Sequence, residues 1–307
     1  MTGAGMLLGD YLKKTYGCKV YKLSLSAKVT CPNRDGTLGT GGCIFCSAGG
    51  SGEFAARADL PIDQQIREAK QRVARKIKGE AKYIAYFQSY TNTYADPEYL
   101  EHIFREAMRP EDVVALSVGT RPDCLPEAIL DLLERLNREK PVWVELGLQT
   151  IREDSARYIR RGYELPVYDR AVRELKARGI TVVTHLILGL PGETHEDMKA
   201  SVRYVAASGA DGIKLQLLHI LKGTDLAAEY EAGRVRVMEQ DEYISLLGEL
   251  VPLIPRSMVI HRLTGDGDKR LLIAPLWSGN KRVVMNEIRR SVLKPNGLLD
   301  SEKSTSE

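Results

Sequence analysis

The sequence has few cysteines, little net charge and no long apolar run, and each shortage excludes a class of protein. Five cysteines in 307 residues are too few for a disulfide scaffold, and the odd number leaves at least one thiol unpaired. The 44 basic and 41 acidic residues leave a net charge of only +3, which argues against an all-over basic surface for nucleic acid. No window holds the roughly 18 apolar residues that a membrane-spanning helix needs.

The residues that are present suit a folded protein of the cytoplasm. Hydrophobic residues make up 43% and charged residues 28%, which is ordinary for a globular chain. Near the N-terminus, Lys13 and Lys14 follow the first apolar residues, which is the wrong order for a secretory signal. We therefore expect a cytoplasmic protein whose thiols stay reduced, where clustered cysteines more often indicate a metal site or catalysis than a disulfide.

Short apolar or β-branched runs alternate with helical patterns along most of the chain. The candidate strands are Val20–Leu25, Tyr83–Gln88, Val113–Val118, Val142–Leu148, Val182–Leu188 and Ile213–Leu218. From the second onward they begin about thirty to forty residues apart, which is the length of a βα unit. This alternation predicts an α/β fold with a parallel sheet and right-handed crossovers. Periodicity alone does not distinguish a barrel from an open, doubly wound sheet.

The pattern loosens after residue 255. We therefore predict a core over residues 1–255 and a short extension over residues 256–300 that packs on it. Within the extension, Met258–Ile260 is a candidate strand and Arg282–Leu293 a candidate final helix. The small, polar residues 301–307 predict a disordered tail.

Three of the five cysteines lie within sixteen residues. Cys31, Cys43 and Cys46 have the spacing C-x11-C-x2-C, and the x2 pair lets two thiolates converge on one metal or cluster. Glycines throughout this stretch let the backbone wrap closely around a compact group. Three interpretations remain open from the loop alone: an iron–sulfur cluster with one iron left for a small molecule, a zinc site with a fourth ligand from elsewhere, or a redox dithiol.

Six segments in this order resemble those of the radical S-adenosylmethionine (SAM) superfamily, in particular its YhcC-type branch near the Elongator catalytic-subunit group. They are Cys31–Thr37, Gly41–Cys46, Gln88–Tyr94, Gly119–Leu125, Glu145–Thr150 and His185–Thr194. The commonest cysteine spacing of the superfamily is C-x3-C-x2-C. This chain departs from it in the first gap, and the Elongator-like branch tolerates long first gaps.

The resemblance implies a partial (β/α)6 barrel of the TIM type with a short C-terminal extension. It also implies a [4Fe–4S] cluster on Cys31, Cys43 and Cys46, with SAM bound to the fourth iron. In this family one electron cleaves SAM to methionine and a 5′-deoxyadenosyl radical, which abstracts a hydrogen atom from the substrate. The electron would come from a donor such as flavodoxin or ferredoxin.

The resemblance further implies SAM contacts at the carboxyl ends of the strands, where parallel barrels gather their functional groups. The expected residues are Gln88, Ser89, Asn92, Thr120, Gln149, Arg161, His185, Gly189 and Leu190. Structural alternatives remain open for several of them: Gln149 also fits a strand-end amide that caps a loop, Arg161 a solvated helix face and His185 a buried strand histidine. The turn at Gly189 and Leu190 also fits the simple start of a helix. No residue is assigned to catalysis itself.

The substrate is the least determined feature. The Elongator-like resemblance suggests tRNA, and two basic stretches suit RNA phosphates. They are Arg67, Lys70, Arg72, Arg75, Lys76 and Lys78, and Lys281, Arg282, Arg289, Arg290 and Lys294. Both also fit the wet face of an amphipathic helix. A small metabolite or a protein remains open as substrate, and a non-catalytic zinc or Fe–S scaffold remains open as an alternative to an enzyme.

Overall fold

The computed structural model describes residues 5–265 and 267–299, and its elements alternate as the sequence predicts. The strands are β1 (Met6–Leu7), β2 (Lys19–Leu25), β3 (Ala81–Phe87), β4 (Val113–Thr120), β5 (Val142–Gln149), β6 (Thr181–Leu188), β7 (Gly212–Leu217), β8 (Ile220–Leu221), β9 (Val259–Arg262) and β10 (Leu272–Ala274). The helices are α1 (Leu8–Tyr16), α2 (Ile62–Ala74), α3 (Pro97–Met108), α4 (Glu127–Asn137), α5 (Glu153–Tyr158), α6 (Leu165–Ala177), α7 (His195–Ala207), α8 (Asp225–Glu231), α9 (Gln240–Leu250) and α10 (Lys281–Ile288).

Eight strands form one parallel sheet in the order β1-β9-β7-β6-β5-β4-β3-β2. The run from β2 to β7 lies in sequence order, with helices between successive strands, which is the arrangement of six βα units. β8 and β10 pair separately as an antiparallel ribbon. The six predicted strands are thus confirmed.

The sheet curls into a partial barrel. Tyr86 on β3 and Lys214 on β7 are four strand positions apart, which is about 19 Å in a flat sheet. Their side chains nevertheless meet, with 3.0 Å between the lysine Nζ and the tyrosine hydroxyl. This contact requires that the sheet wrap around its own interior, as the predicted barrel does.

The two faces of the barrel sheet differ in polarity. On β7, Ile213, Leu215 and Leu217 point outward into the main apolar core. The outer helices cover this face, for example through the buried Ile62 and Ile66 of α2. Because strand side chains alternate, the residues between these apolar positions face the barrel interior.

Helix α1 closes the amino-terminal end of the barrel. Leu12 of α1 packs with Ile84, Ala115 and Trp143, which come from β3, β4 and β5. These apolar side chains fill the bottom of the interior.

The C-terminal region contributes to the same sheet. The predicted strand at Met258–Ile260 is present as β9, which pairs with β7. The predicted final helix is present as α10, followed by a π-helical turn over Arg289–Leu293. The division of the chain at residue 255 remains a prediction, and the predicted tail at 301–307 lies outside the described residues. Within the described ranges, no helix is long and apolar enough to cross a membrane.

Candidate functional site

The residues between Cys31 and Cys43 form a loop whose two ends are joined by backbone hydrogen bonds. The amide of Gly42 donates to the carbonyl of Asn33 over 2.7 Å, and the amide of Leu38 donates to the carbonyl of Pro32 over 2.8 Å. Residues 34–41 therefore loop out and return. Along the short path only Pro32, Asn33 and Gly42 separate the two cysteines, which reproduces the x3 spacing of the family that the sequence resembles.

Arg34 joins this loop to the segment that follows it in the sequence. Its guanidinium donates to the carbonyls of Cys46 (2.9 Å) and Ser47 (2.7 Å) and lies over the ring of Tyr90, 5.7 Å from the ring centroid. Gly42 has φ +75°, and a Cβ at this position would lie 2.9 Å from the Arg34 Nε. Glycine is therefore required where the loop passes the guanidinium.

The sulfur atoms lie in surroundings that suit a bound cluster. Asn33 Nδ2 donates to the Sγ of Cys43 over 3.3 Å, as hydrogen-bond donors do around cluster sulfurs. Burial, with the nearby Cys46, raises the pKa of the Cys43 thiol to about 11. This thiol needs a positively charged partner to ionise at neutral pH, and a metal centre provides one.

Within residues 5–265 and 267–299, no group of three or more His, Cys, Asp or Glu side chains is arranged to hold a single metal ion.

A cavity opens beside the three cysteines at the carboxyl ends of the strands. Eight of the twelve predicted metal and cofactor residues line it, namely Cys31, Cys43, Cys46, Gln88, Thr120, Gln149, Arg161 and His185. Parallel strands of a curled sheet direct their carboxyl ends to one rim, which explains why residues so distant in sequence meet here.

Gln149 has an unusual backbone conformation and an unpartnered side-chain oxygen. It ends β5 at a register shift and has φ +69°, a backbone conformation that is rare for a residue with a side chain. Its Oε1 is buried and has no hydrogen-bond partner among the described residues. An orphaned buried acceptor is costly, and a ribose hydroxyl of SAM would satisfy it.

Arg161 is buried and already has partners. Its side chain is only 2% exposed. It donates to the carbonyls of Thr150 (2.7 Å) and Tyr163 (2.9 Å) and pairs with Glu153 at 2.9 Å. Arg161 is therefore not a solvated helix residue. It fixes the segment after β5, and its contact with the SAM carboxylate remains a prediction.

Four predicted residues do not line the cavity. Ser89 is buried, and Asn92 Nδ2 donates to the carbonyl of Gly119 over 2.9 Å. Gly189 has φ +88° and lies against Met238, and Leu190 is buried in a second apolar cluster. Their contacts with SAM also remain predictions.

Beneath the cavity lies a set of polar side chains, of which the sequence interpretation named only His185. We call it the buried polar layer; it comprises Lys22, Tyr86, Ser117, Glu145, His185 and Lys214. Glu145, 1% exposed, is its centre. One carboxylate oxygen accepts from Lys22 (2.6 Å) and Ser117 (2.7 Å). The other accepts from Tyr86 (3.0 Å), His185 (2.7 Å) and Lys214.

The charges in this layer are interdependent. Burial opposes ionisation of Glu145, but Lys214 and Lys22 outweigh it and hold its pKa well below the usual range. Burial, assisted by Lys214, lowers the pKa of His185 to about 4. His185 is therefore neutral at pH 7, and its Nε2–H donates to the ionised carboxylate.

A signal for this layer exists in the sequence. Lys22, Glu145, His185 and Lys214 each interrupt a strand that is otherwise mostly apolar. Because mostly apolar strands are typical of a parallel sheet covered on both faces, the sequence pattern alone does not connect these interruptions.

The two remaining cysteines do not line the cavity. Cys124 is buried, and its burial with the neighbouring Asp123 raises the pKa of its thiol to about 12. Such a thiol stays protonated and behaves as a small apolar side chain. Cys18 is half-buried, ahead of β2.

Two family models match the chain. The model of the radical SAM superfamily matches residues 34–205, and that of the radical SAM C-terminal domain matches residues 210–294. YtqA of Bacillus subtilis (strain 168) is 43% identical, with 93% of this chain and 88% of YtqA covered. Protein YhcC of Escherichia coli (strain K12) is 39% identical, with 92% and 91% covered.

Two more distant similarities are to a tRNA acetyltransferase and to the structure of an Elp3 protein. A tRNA uridine(34) acetyltransferase of Methanocaldococcus jannaschii is 24% identical over 60% of this chain and 34% of its own length. The solved structure of Elp3 from the archaeon Methanocaldococcus infernus superposes with a TM-score of 0.66 at 18% identity, covering 91% of this chain and 64% of that one. At that identity the superposition shows the shared partial-barrel fold alone.

Proposed function

The chain belongs to the radical SAM superfamily, and we propose that Cys31, Cys43 and Cys46 hold its [4Fe–4S] cluster, with SAM in the cavity beside them. It is an enzyme of this superfamily and uses these two cofactors. When bound, the cluster supplies the electron that cleaves SAM to methionine and a 5′-deoxyadenosyl radical, which takes a hydrogen atom from the substrate. The observation that supports the ligand set most strongly is the Asn33–Gly42 hydrogen bond, which restores the short cysteine path.

The protein's own side chains position the cofactor. Gln149 presents its unpartnered Oε1 to a ribose hydroxyl, and Thr120 and Gln88 line the same wall. The side chain of Gln88 donates to the carbonyl of Ser51 over 2.9 Å, which joins the end of β3 to the segment after Cys46. α1 closes the opposite end of the barrel against water.

A reductant is needed to reduce the cluster, as in the family generally. We propose flavodoxin or ferredoxin as the electron donor and the cytoplasm as the compartment, because reduced thiols are stable there.

The proposal is tested by anaerobic reconstitution with iron, sulfide and a chemical reductant. We expect four iron and four sulfide per chain and reductive release of 5′-deoxyadenosine from SAM, in keeping with a cluster held by three cysteines. One zinc per chain without SAM cleavage would overturn it in favour of a zinc scaffold.

For the substrate we propose tRNA, on the strength of the similarity to a tRNA uridine(34) acetyltransferase. The first basic stretch supports this only weakly, because Arg67 pairs with Asp63 (2.5 Å) and Lys70 with Asp112 (2.6 Å). Comparing modified nucleosides in bulk tRNA from cells with and without the gene tests the idea. One altered nucleoside supports tRNA, and an unchanged profile directs the search to small metabolites or proteins.

A further inference from the structure

Two arginines lie beside the three cysteines, and the function proposed above leaves their charges without a role. Arg34 and Arg121 line the same cavity as Cys31, Cys43 and Cys46. A guanidinium stays protonated at neutral pH. Both side chains therefore bring positive charge to the sulfur atoms that we propose as cluster ligands.

The side chain of Arg34 lies along the turn from Cys43 to Cys46. Its Nε is 2.9 Å from the position of a Cβ at Gly42, next to Cys43, and its Nη2 donates to the carbonyl of Cys46 over 2.9 Å. Burial disfavours the charged guanidinium, but the neighbouring Cys46 outweighs burial and raises the pKa of Arg34, and Cys31 acts in the same direction. The charge of Arg34 is thus coupled to two of the three proposed ligands.

Arg121 is the second arginine, and its charge is balanced. Its Nε and Nη2 donate to the two carboxylate oxygens of Asp123 over 2.9 Å and 2.7 Å. Burial disfavours its charge, but Asp123 outweighs burial and raises the pKa of Arg121, with smaller contributions from Cys31 and Cys43. Arg34 differs, because it donates to carbonyl oxygens and no carboxylate of the described residues forms an ion pair with it.

Charge near an iron–sulfur cluster changes its reduction potential. Reduction adds one electron, supplied by the electron donor or by a chemical reductant, and makes the cluster with its thiolates one unit more negative. A nearby guanidinium favours the more negative form, because Coulomb attraction is stronger in a partly buried site than in water. Arg34, which has no balancing carboxylate, should therefore raise the potential more than Arg121 does.

We propose that the charge of Arg34 raises the reduction potential of the cluster, and that Asp123 limits the same effect of Arg121. This role rests on the function proposed above, since it requires the [4Fe–4S] cluster on the three cysteines. The hydrogen bonds of Arg34 to the carbonyls of Cys46 and Ser47 hold its charge in place. Arg34 thereby makes the cluster easier to reduce by the electron donor.

The test is a redox titration of the reconstituted holoenzyme, followed by electron paramagnetic resonance. Arg34→Gln should lower the midpoint potential, so that the ratio of reduced to oxidised cluster at a fixed poise falls about tenfold, which is about 59 mV for one electron. Arg34→Lys keeps the charge and should stay closer to the wild type. Arg57→Gln is the matched control, because Arg57 is exposed and paired with Asp59, and it should leave the potential unchanged.

Asp123→Asn tests the same charge balance from the other arginine. It removes the carboxylate that balances Arg121 and should raise the midpoint potential. The contacts of Arg34 with Cys46 and Ser47 do not involve Asp123. This variant therefore decides the matter even where Arg34→Gln binds too little iron for a titration.

Three outcomes overturn the proposal. They are equal potentials in the wild type and Arg34→Gln at equal iron content, a shift in Arg34→Lys as large as that in Arg34→Gln, and a potential of Asp123→Asn at or below that of the wild type. Iron analysis and release of 5′-deoxyadenosine in the same preparations separate these failures from failure of the proposed function. A wild type that binds the cluster and cleaves SAM without these shifts rejects the role of Arg34 alone, whereas a wild type that binds no cluster rejects the function and this role with it.

Discussion

The cysteine loop and the buried polar layer are built in opposite ways. The loop gathers its groups from residues 31–46 through local hydrogen bonds, such as the one between Asn33 and Gly42. The layer joins residues far apart in sequence, such as Lys22 and Lys214, which both reach the carboxylate of Glu145 because the sheet curls. The difference separates two kinds of construction: the proposed cofactor site comes from a short segment of chain, and the polar interior comes from the topology of the barrel.

The largest effect is expected from breaking the loop at a ligand. Cys43→Ala should lose most bound iron and all release of 5′-deoxyadenosine, because the two cysteines that remain are too few to hold the cluster. Iron analysis and chromatography of the SAM products measure this. Cys18→Ala is the control and should retain both; a Cys43→Ala protein that still cleaves SAM contradicts the ligand assignment.

In the buried polar layer, the corresponding substitution is Glu145→Gln. It removes the carboxylate that Lys22 and Lys214 share. Because burial lowers the pKa of Lys214 and lets it become neutral, the loss of folding free energy should be at most about 3–5 kcal/mol, measured by anaerobic urea unfolding. Glu139→Gln, which removes the exposed partner of Arg105, should cost less than about 1 kcal/mol. The double variant Glu145→Gln/Lys214→Met should recover part of the loss, and equal effects of Glu145→Gln and Glu139→Gln would show that the layer carries no buried ion pairs.

A smaller effect is expected in the pH dependence of the free energy of unfolding. Burial and Lys214 lower the pKa of His185 from 6.5 to about 4, so the unfolded chain binds this proton before the folded chain does. The contribution of His185 is therefore complete above pH 6.5 and is lost as the pH falls from 6.5 to about 4. His185→Gln should reduce the acid-side slope of unfolding free energy by up to about 1.4 kcal/mol per pH unit. Unchanged slopes between pH 7 and pH 5 would refute a neutral, buried His185.

The smallest expected effect returns to the loop. Asn33→Ala removes the N–H donor to the Cys43 sulfur and should lower the midpoint potential of the cluster while iron is retained, because hydrogen bonds to sulfur favour the reduced cluster. Redox titration followed by electron paramagnetic resonance measures the shift. Thr37→Ala, at the tip of the excursion, is the control, and identical potentials in the two variants would remove Asn33 from the cluster's surroundings.

The sequence predicted the features that are local. The six strands were recognisable because each apolar run is short and followed by a helical period, as in Val182–Leu188 before α7. The cysteine loop was recognisable from spacing and glycines. The path of the loop was not predictable, because the hydrogen bond from Gly42 to Asn33 closes a loop whose length follows from no local sequence rule.

The layer could not be assembled from the sequence in the same way. Lys22, His185 and Lys214 are visible as polar residues in apolar strands, but their meeting at Glu145 depends on barrel curvature and register. The burial of Arg161 was missed for a similar reason, since its partners Thr150, Tyr163 and Glu153 surround it only once the turn after α5 has formed.

The most direct test of the central claim is the electron paramagnetic resonance spectrum of the reduced, reconstituted protein before and after addition of SAM. The account predicts the signal of a reduced [4Fe–4S] cluster whose shape changes when SAM binds the iron that no cysteine holds, and the absence of that signal in Cys43→Ala. A cluster signal that SAM leaves unchanged, or one that persists in Cys43→Ala, would contradict it.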